Sequence, residues 1–285
     1  MKKNILWLKI IRPQTLFASV CPVIIGLYAA SEINWAVGLL TVFCALSLQI
    51  FSNLVNDYYD FVRGADKEGR DGPKRALAEG DVTQKDMQRG AITAGVVALL
   101  LGAALLVGIA VRQSLLACWP ILLIGITALF FAWSYTATDH SLSYLGIADI
   151  FVFLYYGVLA SVGTTYLQTF HFSEKSFLLG AVCGLISMCV LMINNLRDVE
   201  DDRTVNKRTF VVRFGKRAGK IAMLIIVLLM PLFVYYALGW NTVMLIVLPA
   251  LVLYGFVLKA QGQQYNLCLL FTGILNVLYV LMVVL

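Results

Sequence analysis

Nine long apolar segments dominate this chain of 285 residues. They are centred near residues 15–31, 35–55, 91–110, 115–135, 144–167, 175–195, 219–238, 241–258 and 266–285. Each comes close to the roughly 20 apolar residues that an α-helix needs to cross the hydrocarbon core of a bilayer. Inside a bilayer every backbone polar group needs an internal partner, so such segments predict helices. The predicted fold class is therefore all-α, a polytopic membrane bundle of about nine transmembrane helices.

The composition excludes an ordinary soluble domain. Only 13% of the residues are charged and 60% are hydrophobic, whereas soluble domains carry about 25% charged residues. The six cysteines all lie in apolar segments without a CxxC pair, which favours small packing residues over a zinc or redox centre. We expect a single integral-membrane domain over residues 1–285, with the lipid bilayer as a partner and no nucleic-acid partner.

The distribution of lysine and arginine predicts the orientation. Two hydrophilic stretches, at about 57–90 and 197–220, interrupt the apolar segments. With the N-terminus in the cytoplasm, 20 of the 22 basic residues lie on the cytoplasmic side, and only Arg112 and Lys175 lie outside. This bias follows the positive-inside rule. We therefore expect a multi-pass protein of the bacterial cytoplasmic (inner) membrane with both hydrophilic loops, and its active site, facing the cytoplasm.

Two local signals mark helix starts. The N-terminal stretch NILWLKIIR interleaves apolar and basic residues, which predicts a helix in the membrane interface before Pro13 begins the first span. Thr83 precedes a helical pattern and is predicted to be the N-cap of the third span.

The first acidic motif, FSNLVNDYYDFVRGAD at residues 51–66, follows the second apolar segment. Asn53, Asn56, Asp57 and Asp60 are spaced i, i+3, i+4 and i+7, which puts them on one face of a helix. Gly64 allows the chain to turn afterwards, so that Asp66 can fold back toward the others.

A second motif, MINNLRDVEDDRTVNKRTFVVRFG at residues 192–215, repeats this arrangement after the sixth apolar segment. Asn194, Asp198 and Asp202 again step by four residues. Twelve of the sixteen acidic residues lie in these two hydrophilic regions. Basic residues follow each motif: Lys67, Arg70, Lys74 and Arg75 the first, and Arg203, Lys207, Arg208 and Arg213 the second.

Clustered carboxylates repel one another unless cations neutralise them. Carboxylate and amide oxygens suit Mg²⁺, which also binds substrate phosphates, and guanidinium groups bind phosphate oxygens. A pyrophosphate site at the end of a membrane bundle indicates a lipid pyrophosphate whose chain lies among the helices. Solvated loop ends are the alternative for one motif, but two matched motifs favour a site.

The duplicated motif resembles the UbiA superfamily of intramembrane aromatic prenyltransferases. That superfamily has two Asp-rich motifs, written NDxxDxxxD and DxxxD, on cytoplasmic loops after helices two and six of nine. The closer resemblance, over nearly the whole chain, is to its branch acting on 1,4-dihydroxy-2-naphthoate. Asp66 follows Asp60 by six residues where the general pattern has four, and that spacing also matches the naphthoate branch. The segments that carry the resemblance include LQIFSNLVNDYYDFVRGAD, DGPKRALAEGDVT, YLGIADI and NNLRDVEDDRTVNKRTFVVRFG.

The resemblance implies an enzyme that transfers a polyprenyl group from polyprenyl diphosphate to 1,4-dihydroxy-2-naphthoate. CO2 and diphosphate would be lost, and the product would be demethylmenaquinol, a step of menaquinone biosynthesis. Two Mg²⁺ ions are the implied cofactor. A different aromatic acceptor, such as 4-hydroxybenzoate, homogentisate or haem, is the alternative within the family. A transporter is disfavoured, because its acidic residues would lie near the middle of the bilayer.

The site residues follow from the motifs and the resemblance. Asp60, Asp198 and Asp202 are the predicted catalytic acids. The predicted metal ligands are Asn53, Asn56, Asp57, Asp60, Asp66, Asn194, Asp198 and Asp202. Arg75, Lys207 and Arg213 are predicted to bind the diphosphate. Tyr135, Asp149 and Tyr155 are assigned to the acceptor or to the isoprenoid tunnel, with ordinary packing inside the bundle as the alternative.

Overall fold

A computed structural model describes residues 3–64, 72, 75–135, 137 and 146–285. The predicted ligand Asp66 lies outside the described residues. Over the described part of the chain the protein is built from helices without strands, which confirms the predicted all-α class.

Eleven helices make up this part of the chain. They are α1 Lys3–Ile10, α2 Pro13–Ala29, α3 Trp35–Val62, α4 Gln84–Arg112, α5 Leu116–Ser134, α6 Ala148–Thr169, α7 Glu174–Arg197, α8 Val199–Thr204, α9 Phe210–Leu238, α10 Thr242–Lys259 and α11 Gln264–Val284. In the described residues, eight helices are long and apolar enough to cross a membrane, and α2 is an apolar helix of 17 residues. Together these nine helices coincide with the nine predicted segments, so the protein is a multi-pass membrane protein.

The predicted helix starts are confirmed. Pro13 is the first residue of α2, and the separate short helix α1 precedes it. The Thr83 hydroxyl accepts a hydrogen bond from the backbone N–H of Asp86 at 3.1 Å, as an N-cap residue does. Gly64 has a φ of 68°, so the chain turns there immediately after α3.

Two helices continue unbroken beyond the predicted apolar segments: α3 extends to Val62 and α4 already begins at Gln84. Helix α9 begins at Phe210, but Gly215, with a non-helical φ of 86°, separates its first residues from the membrane-spanning part. Hydropathy detects only the part of a helix that lies in the bilayer, whereas backbone hydrogen bonds can continue through polar residues. The extension of α3 keeps Asn53 and Asp60 on one continuous helix, which fixes their relative direction.

Helix α7 lies at the centre of the bundle and packs against α2, α6, α9 and α11. Small residues let α6 and α7 approach closely. A Cβ atom added to Gly157 would lie 2.6 Å from both the carbonyl oxygen of Gly180 and the Cα of Gly184. Membrane helices associate through such close packing, because lipid tails are as apolar as leucine side chains. The glycines therefore set the position of α6 against the central helix.

A single π-helical turn over Leu154–Val158 interrupts α6 beside this contact. The extra residue in the turn changes which side chains share a helix face. Tyr155 and Tyr156, although consecutive, both border the same interior cavity. The turn thus brings two aromatic rings to the inner surface of the bundle.

Candidate active site

One large cavity of about 1030 Å³ lies inside the bundle between α2 to α7 and α11. The final turns of α3 and α7, together with the short helix α8, carry the two acidic motifs and border one end of it. We call this end the mouth. The remaining walls are largely apolar and include Leu48, Leu106 and Leu129. The cavity is therefore charged at the mouth and apolar in its depth, as a ligand with a charged head and a hydrocarbon chain requires.

The first acidic motif borders the cavity as its helical spacing predicts. Asn53, Asn56, Asp57 and Asp60 all contribute to the cavity lining, and both carboxylates are only 4% exposed. Arg75, which follows the motif in sequence, forms ion pairs with both of them: it contacts Asp57 and lies 3.3 Å from Asp60 Oδ2. The motif is therefore a buried acidic face already neutralised by a guanidinium group.

Asn53 makes structural hydrogen bonds. Its amide nitrogen donates to the Thr15 hydroxyl at 2.9 Å and to the Ile11 carbonyl at 3.1 Å, and its oxygen accepts from Gln49. These bonds tie α3 to the start of α2. Asn53 is therefore held in place by hydrogen bonds to the neighbouring chain segments, and it borders the cavity beside Asn56, Asp57 and Asp60.

Lys207 joins the two motifs. Its Nζ lies 3.0 Å from Asp60 Oδ1 on the first motif and 4.0 Å from Asp202 Oδ1 on the second. The two motifs, about 140 residues apart in sequence, therefore meet at one ammonium group. Burial lowers the pKa of Lys207, but the carboxylates of Asp60 and Asp202 outweigh this effect and raise it overall, so the group stays charged.

The second motif has a cation that the sequence interpretation missed. Arg197 donates from Nε to Asp198 Oδ1 at 2.7 Å and from a terminal nitrogen to Oδ2 at 2.8 Å. A third bond, also 2.7 Å long, links Arg197 to the side-chain oxygen of Asn266 on α11. The arginine side chain is only 4% exposed. The sequence signal was only its position directly before Asp198, because its burial, which is rare for an unpaired arginine, is visible only in the structure.

Arg12 is a second missed residue. It lies between α1 and α2 in the left-handed backbone region, with a φ of 53°, and its guanidinium contacts Asp57. The sequence interpretation counted Arg12 only as a basic residue of the cytoplasmic side. Its place directly before Pro13, at the start of a buried helix, would have indicated a fixed position.

Tyr135, Asp149 and Tyr155 all border the cavity, next to Tyr156. Burial, and secondarily the carboxylate of Asp149, raise the pKa of Tyr135, which therefore remains a protonated phenol. The Oδ1 atom of Asp149 is buried without a hydrogen-bond partner in the described structure. These groups form the side of the mouth contributed by α5 and α6.

Asn194, Asp198 and Asp202 of the second motif also line the cavity, but Arg213 does not. Arg213 lies on α9 and approaches Gly146, whose added Cβ would be 3.2 Å from the guanidinium Nε. Of the three predicted diphosphate-binding residues, the structure places Arg75 and Lys207 at the mouth, whereas Arg213 lies beside Gly146 and does not border the cavity.

The paired acidic motifs and buried cations at one end of a largely apolar cavity suit an amphipathic ligand with a charged head group. The chain belongs to the UbiA prenyltransferase family, whose model matches residues 19–279. It is thus a prenyltransferase.

Two relatives within this family share one more specific name. The 1,4-dihydroxy-2-naphthoate octaprenyltransferase of Escherichia coli strain K12 is 36% identical over 257 residues, which cover 86% of this chain and 82% of the relative. The protein of the same name from Haemophilus influenzae is 36% identical over 223 residues, covering 76% of this chain and 71% of the relative.

A solved structure shares the fold. A UbiA homologue from Archaeoglobus fulgidus bound to DMAPP and Mg²⁺ has a TM-score of 0.69 and 16% identity, and the match covers 98% of both chains. The similarity in three dimensions therefore extends over the whole bundle.

Proposed function

We propose that this protein transfers a polyprenyl group from polyprenyl diphosphate to 1,4-dihydroxy-2-naphthoate, with loss of CO2 and diphosphate, giving demethylmenaquinol. The observation that carries the proposal is the meeting of the two acidic motifs at Lys207, directly above an apolar cavity. The naphthoate acceptor rests on the relatives, which share that name over most of this chain. The active site would face the cytoplasm, in the bacterial inner membrane, as the distribution of basic residues predicts.

The donor atoms at the mouth fit Mg²⁺. They are carboxylate and amide oxygens, which this cation prefers, and their negative charge already attracts buried cationic side chains. No three histidine, cysteine or acidic side chains among the described residues form a complete metal site. Asn56, Asp57 and Asp60 would therefore hold one ion, and Asn194, Asp198 and Asp202 a second, with diphosphate oxygens and Asp66 as further ligands. When bound, Mg²⁺ neutralises the charge of the departing diphosphate.

The basic side chains would stabilise the diphosphate leaving group. Arg75 and Lys207 lie among the carboxylates, where each can donate hydrogen bonds to diphosphate oxygens. Arg213, which does not border the cavity, is proposed to stabilise the diphosphate through its positive charge. These groups favour the state in which the allylic C–O bond has broken and its electron pair rests on the diphosphate, so they stabilise the transition state electrostatically.

The acceptor ring supplies the new bond. The ring carbon that bears the carboxylate attacks the allylic carbon, its bond to the carboxylate carbon breaks, and the electron pair of that bond restores the aromatic ring as CO2 departs. Tyr135, Asp149 and Tyr155 surround this region and are proposed to position the ring. Apolar walls exclude water, which would otherwise capture the allylic cation.

Product mass spectrometry tests the proposal. Membranes containing the protein are incubated with 1,4-dihydroxy-2-naphthoate, all-trans octaprenyl diphosphate and either Mg²⁺ or EDTA, in parallel with Asp60→Ala and Asp198→Ala. We expect a prenylated naphthoquinol without the carboxyl group, formed only with Mg²⁺ and lost in both variants. If 4-hydroxybenzoate or homogentisate is prenylated instead, the prenyl transfer stands but the assignment of 1,4-dihydroxy-2-naphthoate as the acceptor is wrong.

A further inference from the structure

The C-terminal part of the chain carries positive charge without negative charge. Residues 203–285 contain eight lysine and arginine residues but no aspartate or glutamate. The first hydrophilic stretch, at about 57–90, instead mixes seven basic with eight acidic residues. The positive-inside rule counts lysine and arginine, and acidic residues contribute little to it. The rule therefore accounts for the basic residues of the C-terminal part but not for the absence of acidic ones.

Four of these cations come together where α9 and α10 meet at the mouth side of the bundle. Lys216, Arg217 and Lys220 are spaced i, i+1 and i+4, so they lie close together at the start of the membrane-spanning part of α9. The Lys220 ammonium group donates to the Leu258 carbonyl at 2.8 Å, which ties α9 to the end of α10 directly before Lys259. We call Lys216, Arg217, Lys220 and Lys259 the basic edge.

The charges of the basic edge are poorly balanced within the protein. In the part of the chain that the structure describes, Arg217 and Lys259 are exposed and their side chains form no ion pair or hydrogen bond. Lys216 lies 3.9 Å from Glu200, which already bonds to Arg203. Lys216 and Arg217 also lie toward the N-terminal end of a helix, where positive charge is unfavourable. An anion from outside the protein would relieve this repulsion.

An exposed apolar stripe runs away from the basic edge on each of the two helices. Both stripes have the spacing i, i+4, i+8 and i+11 with one cation at the end, so each stripe lies on the same helix face as its cation. Their apolar residues are all more than half exposed: Ile221, Ile225 and Leu228 beyond Arg217 on α9, and Phe256, Val252 and Leu248 before Lys259 on α10. The surface thus joins a cationic end to two apolar stripes.

This combination selects one class of occupant. Arginine and lysine donate charge-assisted hydrogen bonds to phosphate oxygens, and the stripes of a membrane helix face acyl chains. A free phosphate ion would use only the cations. We propose that the basic edge binds an anionic phospholipid, such as phosphatidylglycerol, from the leaflet on the mouth side, with its acyl chains along α9 and α10. Neither Arg217 nor Lys259 borders the cavity, so this lipid site is separate from the active site.

Thermal unfolding with added lipid measures the binding. Purified protein in a neutral detergent is titrated with dioleoyl phosphatidylglycerol or, as the reference without net charge, dioleoyl phosphatidylcholine. We expect phosphatidylglycerol to stabilise the wild type more than phosphatidylcholine does. In Arg217→Gln/Lys259→Gln, the concentration of phosphatidylglycerol for half-maximal stabilisation should rise about 30-fold, because each basic residue near an anionic lipid strengthens binding about fivefold.

Two further double variants are the controls. Lys85→Gln/Arg89→Gln removes two exposed basic residues from the start of α4, but these lie in the stretch of mixed charge, so the response to phosphatidylglycerol should be unchanged. Arg217→Lys/Lys259→Arg keeps both charges and should keep most of the affinity. A response that depends on charge at these two positions alone identifies the basic edge as the binding site.

Mass spectrometry of the intact protein gives a second readout, the number of phosphatidylglycerol molecules retained. We expect the wild type to retain one more than Arg217→Gln/Lys259→Gln. Equal affinity of these two proteins for phosphatidylglycerol, or equal weakening in both glutamine double variants, would refute the site. So would equal stabilisation of the wild type by inorganic phosphate. None of these measurements requires turnover, so their outcome is independent of whether prenyl transfer to the naphthoate is observed.

Discussion

Removal of the Lys207 ammonium should expose how strongly the two acidic motifs repel each other. Lys207→Met keeps much of the side-chain volume but leaves Asp60 and Asp202 facing each other without the cation between them. The Asp60 side chain is 5% exposed and that of Lys207 is 13% exposed, so water compensates little for the loss. We expect the variant to be less stable than wild type whenever Mg²⁺ is absent.

The expected loss of stability in Lys207→Met depends on the ion-pair partners that Asp60 retains. Breaking a buried ion pair by removing one member costs about 3–5 kcal/mol. Asp60 retains Arg75 at 3.3 Å, which offsets part of the loss, so we expect about 2–3 kcal/mol. On the scale of large globular domains, this lowers the midpoint of thermal unfolding by about 5 °C or more. Saturating Mg²⁺ should restore at least half of the difference, because a dication can take the place of the ammonium group.

The assay is thermal unfolding of the purified protein in detergent, with EDTA or with a Mg²⁺ titration. Lys216→Met is the matched control, since Lys216 is half exposed and lies 3.9 Å from the exposed Glu200, where an ion pair contributes little. Equal midpoints for wild type and Lys207→Met in EDTA would refute the reasoning. So would a Mg²⁺-induced shift of the same size in both proteins.

Three other substitutions test separate parts of the structure. Asp198→Asn should lower kcat/KM for prenyl transfer about 100-fold or more, and a loss below tenfold would contradict its catalytic assignment. Arg197→Gln should raise the Mg²⁺ concentration for half-maximal activity several-fold without changing the acceptor KM, because Asp198 loses its fixed orientation; an unchanged Mg²⁺ dependence would argue for packing alone. Gly157→Val should destabilise the bundle by about 3 kcal/mol in thermal unfolding, whereas Gly255→Val, with nothing within 4 Å of its added Cβ, should not.

The bundle and the faces of its motifs could be predicted because both depend on local patterns. Length and hydropathy define a membrane helix, and the spacing of Asn53, Asn56, Asp57 and Asp60 fixes their common direction once the segment is helical. The two aspartates of the first motif that border the cavity, Asp57 and Asp60, are therefore those that a helical projection selects.

The cationic contacts could not be predicted in the same way, because they depend on how distant helices pack. Arg12 reaches Asp57 across 45 residues, and Lys207 reaches Asp60 across 147 residues. Positive charges on the cytoplasmic side also occur in most membrane proteins, so their number alone does not single out Arg197 or Arg12. The π-helical turn at Leu154–Val158 could not be predicted either, since one extra residue does not change the hydropathy pattern of a uniformly apolar segment.

The contrast between a charged mouth and an apolar interior gives the cavity unequal affinity for reactant and product. In the proposed reaction the lipid product keeps its hydrocarbon chain but loses the anionic head that Arg75 and Lys207 bind. Charge-assisted hydrogen bonds contribute about 1.5–3 kcal/mol each, so two lost contacts favour incoming prenyl diphosphate over neutral quinol by about 100-fold or more. Product inhibition by demethylmenaquinol should accordingly be weak, and the enzyme can work in a membrane where its own product accumulates.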